Sequence, residues 1–583
     1  MLQLPAIPVA PGLAVGEAMV VRDLREGVER QPIEAQQVDS ECLRVQDALD
    51  RVAGELEDDR DRVKVDLGAE AAEIFAFHLG LLRDPALREA ILNRIRGNLD
   101  DAAHATAESI LDLSRRFQAL NDPIFREKAD DLLDLERRLL RKLGALGEDR
   151  IQSIDRPVIL IAARLTPAQA AGLDTTFVKA LVMETGGRTS HVSIMASALG
   201  IPVIAGCRGS TRHVKEHSTV VVDGDAGRLL VRPLDDELAQ LREMASRRAA
   251  RIAEALDHAH EPAVTADGVE ISIQGNIELA REVKGLLEVG GDGVGLFRTE
   301  YLYLTSSRAP TEEEHLQQYR KALNDLGGRT LTIRTFDLGA DKVGLVGPDP
   351  EPNPMLGLRS IRYCLRNMQM FRVQLRAILR VAAEGPVRVM FPLIGVHSEL
   401  RQARMALEDV REELLEEGLP HSRDLPVGMM IEVPSAALMA SSFAREVDFF
   451  SIGTNDLTQY VLAVDRGNDS VASLYSSAHP AVLRMVKDVA SAARHHGIDC
   501  SLCGEAASDP CLTMLLLGLG LRTLSLTPSR IPDIRRVVRS VRMADCERVA
   551  RRVLRLESDR QVLRCLQEEL GRAAPDFRAE QGS

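Results

Sequence analysis

One histidine stands in a setting suited to covalent chemistry. The segment TGGRTSHVSIMASALGIPVIAG, residues 185–206, places two glycines and two hydroxyls, Thr189 and Ser190, immediately before His191. Glycines let backbone approach a ligand closely. The apolar spacing that follows His191 predicts a short amphipathic helix with the histidine at its head. The free N–H groups and the positive dipole end of a helix start attract anions and disfavour imidazolium. A neutral imidazole there is a nucleophile, and an anionic group transferred to it would be held by the same N–H groups. His78, His104, His213, His217 and His397 lack this setting and read as hydrogen-bonded structural residues.

A second set of chemical groups recurs at regular intervals in the second half of the chain. Arg298, Arg334, Glu432, Asn455 with Asp456, and Cys503 with Glu505 each follow a short apolar run. Guanidinium groups pair bidentately with phosphate and carboxylate, and carboxylates hold hard divalent cations. Cys500 and Cys503 form a CxxC, but side chains three apart on a strand point to opposite faces, which argues against a redox pair or half of a zinc site.

The elements that must position these groups are legible. Apolar runs at 271–277, 293–299, 331–339, 388–395, 427–434, 449–456, 499–505 and 523–528 alternate with helical patterns such as TEEEHLQQYRKALNDL, 311–326. Eight near-continuous apolar strands alternating with helices predict a closed (β/α)8 TIM barrel, whose chemistry sits at the C-terminal ends of its strands. The polar residues above fall at those ends. Upstream, residues 1–30 read as short strands, and strand texture returns at 157–163, 177–184, 201–206 and 219–225. Between them, residues 31–146 are nearly free of proline and carry apolar residues at three- and four-residue spacings, a helical bundle broken at Asp84–Pro85. The fold class is therefore multidomain α/β: a small α/β domain of residues 1–30 and 147–230 with the bundle inserted into it, then a long charged linker helix at 231–260, a barrel over 261–570 and a tail of 571–583. Glycine-bearing turns at Gly206–Gly209 and Gly224–Gly227 could help a hinge.

Composition narrows the function. The 583 residues carry a net charge of −14, against a general nucleic-acid binder. The eight cysteines show no framework and read as reduced thiols of a cytoplasmic protein. The N-terminus lacks a positively charged leader, and no run of about 18 apolar residues predicts a membrane span.

The segments TGGRTSHVSIMA, GVGLFRTEYLYL (293–304), FDLGADK (336–342), NPMLGLRSIR (353–362), DFFSIGTNDLTQYVLAVDRGN (448–468) and LCGEAA (502–507) resemble the phosphohistidine and phosphoenolpyruvate-binding signatures of enzyme I of the bacterial phosphotransferase system, and of the related dikinases and synthases. The domain order and the helical insert are similar to enzyme I. The resemblance spans nearly the whole chain except the last dozen residues. It implies that His191 carries the phosphoryl group and that Arg298, Arg334 and Arg466, with Asn455, grip phosphoenolpyruvate. It further implies that Glu432 and Asp456 ligate Mg²⁺, and that Cys503 protonates the enolate carbon. Lys342 and Arg359 would line the site. The implied partners are the phosphocarrier HPr, docked on the bundle, and a second copy joined through the barrel. The chain departs from the family's usual pattern at Ala163 and Arg164, where an acidic residue is common. An ATP-using dikinase would need a nucleotide-binding domain, and no GxxxxGK[ST] loop occurs.

Overall fold

A computed structural model of the chain describes residues 2–10, 12–21, 30–66, 73–119, 132, 135–145, 151, 154–165, 169–170, 173–186, 196, 200–224, 226–234, 236–244, 258–304, 309–337, 353–466, 468, 471 and 474–575. His191 and Lys342, and the expected helix after the histidine apart from the helical Ala196, lie outside the described residues. The chain forms two compact units, Met1–Ala249 and Ala250–Ser583.

The first unit is built on an eight-stranded sheet of β1 (Leu2–Pro5), β2 (Ile7–Ala10), β3 (Leu13–Val21), β4 (Val158–Ala162), β5 (Val178–Met183), β6 (Val203–Ala205), β7 (Thr219–Asp223) and β8 (Arg228–Val231), in the order β1-β8-β7-β3-β4-β5-β6-β2. All five residues of β4 are buried, as its unbroken VILIA run requires for a strand covered on both faces. β3 pairs in parallel with β4, Ala18 opposite Ile159. The intervening segment is thus one long crossover, and it contains helices α1 (Val38–Asp66), α2 (Glu73–Leu82), α3 (Pro85–Asn98) and α4 (Ala102–Ala119). The bundle has its own apolar core, including Val52, Leu56, Ile91, Ile95 and Ile110. Asp84 caps α3 by accepting the Ala86 N–H at 2.8 Å, with Pro85 at the first helical position, so the break falls where the proline placed it.

Of the expected linker helix over 231–260, residues 235 and 245–257 lie outside the described residues. Val231 ends β8, which pairs antiparallel with β7 across the Asp223–Arg228 turn. Helix is present at 236–244, and 258–260 form a turn. β8 runs one residue past the expected domain limit of 230.

The second unit contains β9 (Ser272–Ile277), β10 (Val294–Arg298), β11 (Leu331–Arg334), β12 (Val387–Phe391), β13 (Val427–Ile431), β14 (Phe449–Ile452), β15 (Asp499–Leu502) and β16 (Thr523–Leu526), all parallel, closing with β16 against β9. Each expected run supplies one strand. Helices α5 (Glu312–Leu326) and α6 (Met368–Val381) follow β10 and β11. Outward residues such as Val294, Ile333, Val389, Met429 and Ile452 build the large core beneath the helices. Leu296, Met390, Met430, Phe449 and Cys503 form a small separate cluster inside the barrel. The last helix runs to Ala573, three residues beyond the expected limit of the barrel. No helix among the described residues is long and apolar enough to cross a membrane.

Gly290, in the turn before β10, packs closely against the backbone of Ala259. Its φ is +85°, and a Cβ there would lie 1.9 Å from the Ala259 carbonyl oxygen, which is backbone and cannot yield. Gly418, with φ +68°, has open space around it. Gly290→Ala is expected to lower stability by about 3 kcal/mol or more, and Gly418→Ala by about 1 kcal/mol, read as melting temperatures of the two variants.

Candidate active site

The strand ends of the second unit converge on a buried network of opposite charges. Arg334, the last residue of β11, donates through Nη1 to Asp337 Oδ2 at 2.7 Å and through Nη2 to Glu300. Arg359 donates through Nη2 to Asp337 Oδ1 at 3.0 Å and reaches Asp456 Oδ2 at 3.1 Å. One carboxylate therefore bridges two guanidinium groups, and Arg334, Asp337, Arg359 and Asp456 are all buried. Such an arrangement is stable only when each charge is matched, since desolvating an unpaired ion is costly.

The titration directions follow from this packing. Burial pushes the Asp337 carboxyl up, but Arg334 and Arg359 outweigh it and hold the group well below the usual carboxylate range. Burial opposes charge on both arginines, and the surrounding carboxylates keep them ionised. Glu432, just past β13, accepts the Leu393 N–H at 2.6 Å and is pushed up to about 8, first by burial and then by Asp337 and Asp456. Burial likewise raises Glu300, whose Oε2 has no hydrogen-bond partner among the described residues; the same is true of Arg334 Nε.

Two further arginines are held loosely. Arg298, at the end of β10, donates to Glu278 Oε1 at 3.0 Å, with its side chain one-third exposed. Arg466 donates to Glu505 Oε1 at 3.3 Å in a more exposed pair. Asn455 Oδ1 accepts the Glu505 N–H at 2.8 Å, tying the end of β14 to the end of β15. Exposed pairs of this kind cost little to exchange for an incoming anion.

Cys503 follows β15 and faces the barrel interior, its Sγ 3.6 Å from the Ile452 carbonyl. Burial raises its thiol to about 11; Ser451 partly opposes this, Glu432 adds to it, and Arg334 and Arg298 act against it. Cys500 packs against the outer core instead, as the strand period requires. All eight cysteines are free. The seven candidate residues of the barrel thus share one mouth. His191 lies outside the described residues and in the sequence of the other unit.

Asp337 and Glu300 were not singled out from sequence, and Arg359 only as lining. The available signal was an acid placed two or three residues after a strand-end arginine, in FRTE and in RTFD. His217 and His397 are engaged structurally: His217 Nδ1 lies 2.8 Å from Arg156 Nη2, and His397 pairs with Glu446 at 3.0 Å while stacking on Phe443.

Asp337→Asn leaves two buried guanidinium groups without their shared anion and is expected to cost about 3 kcal/mol or more at pH 7. Because the folded carboxyl is held below its ordinary 3.8, its contribution is complete above that pH and is lost as pH falls toward the depressed folded value. The deficit of the variant, measured by urea unfolding, should be largest near pH 5 and shrink toward pH 8, because without the Asp337 charge Glu432 ionises at a lower pH.

The chain matches the family descriptions "PEP-utilising enzyme, N-terminal" over residues 5–128, "PEP-utilising enzyme, mobile domain" over 154–227 and "PEP-utilising enzyme, PEP-binding domain" over 253–543. It is 38% identical over 544 residues to a phosphoenolpyruvate-protein phosphotransferase of Priestia megaterium, covering 93% of this chain and 95% of the relative. It is 38% identical over 536 residues to that of Geobacillus stearothermophilus, covering 92% of both chains. Similarity to the Haemophilus influenzae protein of the same name is 36% over 537 residues, 92% of this chain and 93% of that one. With an eight-stranded parallel barrel behind a mouth of paired arginines and carboxylates, and similarity running through both units, the chain belongs to the phosphoenolpyruvate-protein phosphotransferases, the enzyme I family of phosphoenolpyruvate-utilising enzymes.

Proposed function

We propose that the protein takes the phosphoryl group of phosphoenolpyruvate onto His191, releases pyruvate, and passes the group to a histidine of the phosphocarrier HPr, the first step of sugar uptake by the phosphotransferase system. The observation that carries this reading is the bridging of Arg334 and Arg359 by Asp337 at the strand ends, flanked by the exchangeable arginines Arg298 and Arg466. Fixed guanidinium groups hold a small polyanion, and loosely paired ones leave their own acids to complete its capture. Asn455 helps orient the bound anion.

The donor set also suits a divalent cation. Burial, and after it the negative charge of Asp337 and Asp456, pushes the Glu432 carboxyl up to about 8. A hard cation on Glu432 and Asp456 relieves that repulsion, and two carboxylates with substrate oxygens and water suit Mg²⁺. When bound, Mg²⁺ would neutralise charge developing on the bridging oxygen and polarise the enolate.

In the first half-reaction the bond from phosphorus to the enol oxygen breaks as a bond to a ring nitrogen of His191 forms. The enolate then takes a proton at its methylene carbon from Cys503 Sγ, giving pyruvate. Burial keeps that thiol protonated until an acceptor arrives, and Arg334 and Arg298 favour the thiolate left behind, which regains a proton from water. His191 and the barrel belong to different units, so the reaction requires the first unit to swing between barrel and carrier about the 231–260 connector. The bundle inserted after β3 would dock HPr, and two copies would associate through the barrel in the cytoplasm.

Incubation with labelled phosphoenolpyruvate and Mg²⁺ should give an acid-labile label that is absent from His191→Ala; label taken instead from ATP would overturn the donor. Cys503→Ala should slow pyruvate release by about a hundredfold while His191 still becomes labelled, measured by coupled pyruvate assay against label incorporation.

A further inference from the structure

Behind the barrel mouth lies a fully buried polar chain to which the chemistry above gives no part. Thr299, His315, Tyr319 and Gln374 are each 0% exposed. Thr299 follows β10, His315 and Tyr319 lie one turn apart on α5, and Gln374 is on α6. β11 ends at Arg334, where the sheet's hydrogen bonds to β10 stop. From there side chains continue the connection. Thr299 Oγ1 donates to the Arg334 carbonyl at 2.9 Å, and Gln374 Oε1 accepts the Phe336 N–H at 3.0 Å. These two backbone groups flank Thr335, whose own N–H is taken by Met390 O on the other side at 3.0 Å.

The donors and acceptors of this chain admit one arrangement. The Phe336 N–H requires the Gln374 oxygen, so the amide nitrogen faces the other way. It donates to Thr299 Oγ1 at 2.9 Å and to the Tyr319 hydroxyl at 3.2 Å. Thr299 must accept there, since its only proton goes to the Arg334 carbonyl. Tyr319 likewise accepts from Gln374 and so donates to His315 Nδ1, 2.9 Å away. His315 then carries its proton on Nε2 and donates to the Tyr303 hydroxyl at 3.2 Å. Burial holds the imidazole neutral, down to about 3, which this pattern needs, because a proton on Nδ1 would oppose that of Tyr319.

We propose that Gln374 is a positioning residue for substrate binding: anchored by the Tyr319–His315–Tyr303 chain, it joins the ends of β10 and β11 and holds Arg334 and Asp337 in register for the incoming anion. This rests on reading the barrel mouth as the phosphoenolpyruvate site. A glutamine that merely filled space would not place its oxygen on the Phe336 N–H and its nitrogen on two hydroxyls, one of which in turn holds the Arg334 carbonyl. Fully satisfied buried networks rigidify what they touch, and small displacements of a binding group are expensive in rate.

The test separates the two half-reactions in the full-length protein. Gln374→Met keeps volume and removes all three bonds, and Thr299→Val removes the hydroxyl at the same shape. Both should raise KM for phosphoenolpyruvate by about tenfold or more. Both should leave unchanged the transfer to HPr from His191 that has been phosphorylated in reverse by phospho-HPr, a step that does not use the barrel mouth. Thr299→Ser, which restores the hydroxyl, should restore KM. A lower melting temperature with unaltered phosphoenolpyruvate kinetics in the folded protein would make Gln374 structural only and overturn the proposal. Should Gln374→Met not fold, the Thr299 pair decides. Failure of the unsubstituted protein to accept label from phosphoenolpyruvate would instead defeat the substrate reading.

Discussion

The barrel mouth is organised by one carboxylate. Asp337 accepts from Arg334 at 2.7 Å and from Arg359 at 3.0 Å, inside a region from which water is largely excluded. Two like charges that would repel are thereby kept close, charged and fixed before any ligand arrives. The pairing does not by itself imply great stability, because desolvation offsets most of the attraction. What it supplies is geometry: guanidinium planes aimed by their own ion pairs, with Arg334 Nε left without an acceptor among the described residues. Glu432 beside it is pushed up to about 8, first by burial and then by the negative charge of Asp337 and Asp456.

The barrel's interior matches this division. Leu296, Met390, Met430 and Phe449 pack one side into a small apolar cluster that also seals Cys503. The other side carries hydroxyls and amides: Ser525 Oγ donates to Asn276 Oδ1 at 2.7 Å, and Asn276 donates to the Cys503 carbonyl at 3.1 Å. Gly453 and Gly504 let the acids and the thiol sit close to the β14 end, since a Cβ at Gly453 would meet Glu432 Oε2 at 2.8 Å and one at Gly504 would meet Thr454 Oγ1 at 1.8 Å. These glycines are needed for close approach rather than for an unusual backbone angle.

Much of this was legible before any coordinates. The strands announced themselves through period and composition, because a parallel strand covered on both faces needs an unbroken apolar run such as VGMMI or FFSI. The residues gathered at the barrel mouth stood out in the sequence because a barrel's strand ends are where polar residues have a use. Asp337 and Gln374 were not legible for a related reason. An aspartate three residues after an arginine reads as an ordinary loop residue. A glutamine in the middle of the apolar-faced α6 reads as a surface position, yet it is wholly buried. Its partners Thr299, Tyr319 and Phe336 are 75, 55 and 38 residues away in sequence, and no local pattern encodes them.

The order of the elements, the barrel, the inserted bundle and the identity of the groups able to do chemistry were determined by sequence alone, because periodicity, proline placement and residue type are local properties that survive without a fold. Which arginine is clamped and which is exchangeable, which carboxyl keeps its proton, and which way the Gln374 amide points were decided only by tertiary structure. Those depend on burial and on partners brought from distant segments, and electrostatic energies in a low-dielectric interior are set by distances that no single stretch of chain contains.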